Sequence, residues 1–172
     1  MRSAVLLAAA FAAAAPAQPP PSARPVHLTP DGYGPARIGM TQDEVAAALG
    51  IRLEGEPIDD GSQCIEMIAA DGYPGLVFTF LEGRLSRIAA GRESRVTTPR
   101  GIGSGATAGE VRLAYGAGLE AEPHHYIGLP AEYLTFWVRR ERSGVRFETG
   151  SDRRVDSIIA GDASIRYVEG CA

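Results

Sequence analysis

The chain has 172 residues, with 17 basic and 21 acidic side chains and a formal net charge of −4. Every basic residue is an arginine and the arginines are scattered, which excludes the clustered positive surface that nucleic acids and anionic membranes require. Two cysteines are too few for a disulfide-built scaffold, and the length suits one compact domain or two small repeats.

Met1-Arg2 is followed by an apolar run from Ala4 to Ala15. Ala15-Pro16-Ala17 then has the small-x-small pattern of a signal-peptidase site, so residues 1–17 read as a signal peptide rather than an anchor. Cleavage near Ala17 would leave 155 residues (172 − 17), expected to be periplasmic or secreted. No cysteine near that point offers a lipid attachment site. No later stretch approaches the roughly 20 apolar residues of a membrane span, so no membrane insertion is expected. Gln18-Pro19-Pro20-Pro21 through Pro25 opens a disordered leader read over residues 18–33.

A repeat governs the rest. Gly39-Met40-Thr41-Gln42-Asp43-Glu44-Val45 through Leu49-Gly50 returns as Gly105-Ala106-Thr107-Ala108-Gly109-Glu110-Val111 through Tyr115-Gly116, with the copies 66 residues apart (111 − 45). In each copy a threonine N-cap stands three residues before a glutamate that can reach back to the cap's N–H, which predicts a capping box and a helix. Met40 and Val45 form a hydrophobic staple, with Ala106 and Val111 a weaker one. Val45, Ala48 and Leu49, like Val111, Ala114 and Tyr115, line one helical face, and Gly50 and Gly116 supply the stop. Helices of about two turns do not persist alone in water, so each must pack on a sheet.

The sheets come after the helices. In the first unit (34–100), strands are predicted over 63–69, 76–81, 84–90 and 94–98, with a hairpin about Glu82-Gly83. In the second (101–172), they are predicted over 124–127, 132–140, 145–149, 154–160 and 163–168. Phe78 through Ile88 align with Phe147 through Ile158 if one residue is inserted, so the repeat covers the sheets as well. Cys64 and Cys171, in an exported chain, are expected to form a disulfide. Closing so long a loop would stabilise by about 4 kcal/mol on the chain-entropy model.

Alternation assigns the faces. Leu134, Phe136 and Val138, joined by Val145 and Phe147, turn toward the helices. Tyr133, Thr135, Trp137, Arg139, Arg146 and Glu148 turn away, onto a face without helical cover. Tyr133, Trp137, Arg139, Arg146 and Glu148 are the candidate binding residues, being of the types that dominate binding hot spots. Ordinary cross-strand pairing on a solvated sheet accounts for them equally well.

Other motifs carry less. Gly101-Ile102-Gly103-Ser104-Gly105 before a helix has the look of a phosphate cradle but lacks Gly-Lys-Ser/Thr and a preceding buried strand. His124-His125, with Glu122 and Glu132 nearby, would project to opposite faces of an extended segment and so could not share one metal. Asp59-Asp60 before Gly61 reads as a turn, although paired carboxylates could serve glycoside hydrolysis. No Gly-x-Ser-x-Gly elbow is present. No catalytic residue, metal site or cofactor is expected.

Gly-Met-Thr-x-x-Glu-Val and Gly-x-Thr-x-x-Glu-Val, in two units of capped helix plus antiparallel sheet, resemble the beta-lactamase-inhibitory-protein-like superfamily. Its single-unit relatives include small outer-membrane assembly lipoproteins of the SmpA/OmlA type. The resemblance spans about Gly34 to Cys171 and implies an α+β tandem repeat with helices on one side and a joined, concave sheet offered to proteins on the other. The chain lacks the inhibitor's cysteine pair within each unit and the lipoproteins' attachment cysteine. The expectation is therefore a non-enzymatic, exported binding or scaffolding module of the cell envelope, whose partner is a protein or envelope component. The alternative is a small extracytoplasmic hydrolase or carbohydrate-binding protein using the loops around Asp59 and His124.

Overall fold

The computed structural model describes residues 26–55 and 63–171. The signal-like segment, the start of the leader and Asp59-Asp60 lie outside them. Short strands β1 (Leu28–Thr29), β2 (Gly32–Tyr33) and β3 (Ala36–Arg37) make a small antiparallel sheet. The leader expected to run to residue 33 is corrected here, because Leu28 is buried and its N–H donates to the Thr97 carbonyl at 3.0 Å. His27, Thr29 and Asp31, interleaved with Leu28 and Tyr33, disguise this apolar contribution in the sequence.

The two repeat helices are α1 (Gln42–Leu49) and α2 (Ala108–Tyr115). Both open on the predicted capping box: Thr41 accepts from the Glu44 N–H and Thr107 from the Glu110 N–H, at 3.3 and 3.2 Å, while each glutamate accepts from its cap's N–H at 2.8 and 2.7 Å. Val45 and Val111 are fully buried on the sheet. Tyr115 packs its ring against Phe136 and Phe147, with centroids 5.1 and 5.0 Å away.

Strands β4 (Leu53–Glu54), β5 (Cys64–Ala69), β6 (Leu76–Leu81), β7 (Arg84–Ala90), β8 (Leu119–Pro123), β9 (Glu132–Arg139), β10 (Ser143–Thr149) and β11 (Val155–Gly161) form one antiparallel sheet in the order β4-β5-β6-β7-β11-β10-β9-β8. The units thus meet last strand to last strand, with Ile158 opposite Ala90 and Ala160 opposite Ile88. The repeat extends to register: Phe78 pairs with Ile88 and Phe147 with Ile158. Glu82 and Gly83, at φ of 50° and 73°, make the tight turn between β6 and β7, the left-handed conformation such hairpins demand. Phe78, Phe80, Ile88, Leu134, Phe147 and Ile158 form the core beneath the helices.

Three expected strands are corrected, two of them because a strand needs a free edge. The chain over 94–98 makes only an isolated bridge, Thr97 to Gly103, because β11 occupies the edge of β7. The first unit's fourth strand is instead β4, on the far side of β5. Pairing at 124–127 begins earlier, as β8, and those residues form the turn after it. The segment 163–168 finds both edges of β11 taken, and Ala163–Arg166 coils into a 3-10 turn capped by Asp162, whose carboxylate accepts from the Ser164 N–H at 2.8 Å.

The backbone and side-chain hydrogen bonds from Thr41 and Thr107 hold the Glu44 and Glu110 carboxyls below their ordinary value of 4.5. A depressed carboxyl stabilises the fold above its unfolded pKa, and that contribution is lost as pH falls through the folded one. The double variant Glu44→Gln, Glu110→Gln is therefore expected to be less stable at neutral pH but to lose less stability below pH 4.5, as measured by denaturant unfolding across an acid series.

Candidate functional site

The sheet face opposite the helices is crossed by the chain's own C-terminal segment, residues 162–171. The alternation that buries Val145 turns Gly144 and Arg146 the other way, and a Cβ added at Gly144 would come within 3.2 Å of the Ile165 Cδ1 methyl. Ile165 is fully buried there. Two buried arginines hold the strap from below. Arg87 Nη1 donates to the Ser164 carbonyl and Arg146 Nη1 to the Ile165 carbonyl, the latter at 3.4 Å. The strap ends in the Cys64–Cys171 disulfide, Cα atoms 5.4 Å apart, which ties it to β5 as the sequence predicted.

The five expected binding residues therefore divide. Tyr133 and Arg146 are only 4% and 3% exposed, the guanidinium lying 3.7 Å from the tyrosine ring centroid, so neither offers a contact surface. Glu148 is half-buried against His124. Trp137 is half-buried and donates its indole N–H to Glu120 at 3.1 Å. Arg139 alone is exposed, 3.5 Å from the equally exposed Asp31. The expectation of an uncovered face is corrected on this ground: alternation tells which way a side chain points but not what lies over it.

Desolvation lowers the pKa of both Arg87 and Arg146. Compensation comes from several sides, since Arg87 meets Glu66 at 3.5 Å and the Tyr167 ring at 5.6 Å, and Arg146 meets Glu122 at 4.0 Å. Arg166, on the strap, adds a 2.7 Å ion pair to Glu122. A planar guanidinium can serve a carbonyl, a carboxylate and a ring at once, which lysine could not.

His124 and His125 separate as their adjacency requires. His125 is exposed and sets its ring edge-on to Tyr126 at 4.8 Å. His124 is buried, stacks on Tyr133 at 4.6 Å, and places Nε2 2.8 Å from Glu148. Its Nδ1 accepts from the N–H groups of Tyr126 and Ile127 at 3.2 and 3.3 Å. With Nδ1 accepting, Nε2 carries the proton and donates it to Glu148. Both nitrogens are spent on building the loop 124–131, and neither is left to take a proton from a substrate.

That loop contributes residues the sequence did not single out. Bonds from His124 N–H to the Ala131 carbonyl and from the Gly128 N–H to the His124 carbonyl close it, leaving Tyr126, Ile127 and Leu129 exposed. The strap exposes Tyr167 and Val168. The Tyr126 hydroxyl donates to Glu169, joining loop and strap, and this bond pushes the tyrosine pKa up to about 12. The signal was present as Tyr126-Ile127-Gly128-Leu129-Pro130, an apolar tract with turn residues and no alternation. No family model, curated protein or solved structure matches the chain.

His124→Ala removes the loop's acceptor, the ring on Tyr133 and the partner of Glu148. A loss of about 2 to 3 kcal/mol is expected, with faster amide exchange confined to 124–131. Denaturant unfolding and hydrogen exchange check the two parts.

Proposed function

We propose that the chain is a non-enzymatic, exported binding module of the cell envelope that holds a protein partner through a composite apolar patch, Tyr126, Ile127 and Leu129 from the loop with Tyr167 and Val168 from the strap. One observation carries this reading: five large apolar side chains are exposed on two segments that a hydrogen bond fastens together. Apolar side chains gathered in this way are characteristic of docking sites, and a loop fixed before binding loses little entropy on contact.

The disulfide and the signal-like N-terminus favour an oxidising compartment. The outer edge strand β8, Leu119-Glu120-Ala121-Glu122-Pro123, carries two carboxylates and a proline, features that discourage strand addition. Recognition is accordingly assigned to side chains. The resemblance to the beta-lactamase-inhibitory-protein-like superfamily agrees with protein binding, although the contact surface proposed here lies at the rim rather than across the sheet. Hydrolysis or carbohydrate binding through His124 has less support, since both its ring nitrogens are engaged.

A photo-crosslinking residue in place of Ile127 is expected to give one discrete protein adduct in the native envelope, and the same residue in place of the exposed Leu113 on α2 to give none. Ile127→Asp with Leu129→Asp should weaken partner binding at least tenfold without unfolding the protein. Equal crosslinking from both positions, or unchanged binding by the double variant, would contradict the assignment.

A further inference from the structure

The strap has two halves fastened in different ways. Residues 162–166 are held by buried Ile165, the Asp162 cap, and the bonds from Arg87 and Arg146. Residues 167–171 are held more lightly: Tyr167 and Val168 are exposed, the Tyr167 N–H donates to the Ser164 carbonyl at 3.0 Å, its ring lies near Arg87, Glu169 accepts from Tyr126, Gly170 lies close to the Glu66 carboxylate, and the Cys64–Cys171 bond is the one covalent tie. Both cysteines line a cavity of about 940 Å³, which opens between the β6–β7 turn and the strap beside Leu81, Arg84 and Tyr167. Cys64 and Cys171 are only 5% and 8% exposed, and this cavity is the side from which a small dithiol would approach them.

We propose that Cys64–Cys171 is a reducible latch: thiol–disulfide exchange there frees residues 167–171 while the sheet and residues 162–166 stay in place. The reductant is a dithiol. One of its thiolates bonds to a protein sulfur, the other protein sulfur leaves as a thiolate and is protonated, and the dithiol's second sulfur then displaces the first protein sulfur. The dithiol becomes a disulfide and the protein gains two thiols. Tyr126 then loses Glu169, and the segment that carries Tyr167 and Val168 is no longer fastened to the loop. The release itself requires no partner; its functional consequence, dismantling of the binding patch, rests on the binding reading above.

The full chain is compared oxidised and after reduction with dithiothreitol, by hydrogen exchange and by titration of the Tyr126 phenol. Amide exchange over 167–171 is expected to rise about tenfold or more, with Phe147 and Ile158 unchanged, and the Tyr126 pKa to fall from about 12 toward 10. The Cys64→Ser, Cys171→Ser double variant should match the reduced protein. Unchanged protection and titration on reduction would overturn the latch, and so would equal acceleration throughout the sheet, which would make the disulfide a staple for the whole fold. Because no partner is involved, failure here is distinguishable from failure of the crosslinking.

Discussion

The pairing of β7 with β11 constrains the rest of the molecule. Each is the last strand of its unit, and joining them makes one eight-stranded sheet and uses up the edge that each turned toward the other. The chain leaving Gly161 finds both edges of β11 taken. It turns across the face the helices leave bare, over β10 and β11, where Gly144 leaves room for Ile165. A Cβ at Gly161, whose φ is 157°, would fall 2.2 Å from the Ser86 carbonyl, so the close approach of β11 to β7 at the join depends on glycine.

Burying two arginines under a strap is costly unless their donors are used, and a buried charge left without partners destabilises strongly. Here the backbone carbonyls of Ser164 and Ile165 complete what Glu66 and Glu122 begin. The same network orders the second unit's rim, since Arg146 contacts Tyr133, Tyr133 stacks on His124, and His124 holds the loop that exposes Ile127 and Leu129. The groups that first suggest a binding face are thus supports beneath the exposed loop.

Much of the fold was legible because it is set locally. Threonine and glutamate three residues apart dictated both helix starts, and Glu82-Gly83 dictated a hairpin. The doubled pattern placed Phe78 with Ile88 and Phe147 with Ile158, and two cysteines left one pairing. What was not legible depends on edges. Ser164-Ile165-Arg166-Tyr167-Val168 has the composition of a strand and becomes a strap only because β7 already flanks β11, a fact of tertiary pairing. The hints were Gly144 inside an otherwise well-formed strand and Arg87 between Leu85 and Ile88, each a sign of something approaching the face.

Site and patch alike require that the strap lie over the join. The most direct measurement is the nuclear Overhauser effect between the Ile165 δ-methyl and the Gly144 α-protons in the oxidised protein. A strong cross-peak is predicted. Its absence, with Ile165 instead showing the shifts of a solvent-exposed methyl, would mean that the face is open and that Arg87 and Arg146 hold nothing there.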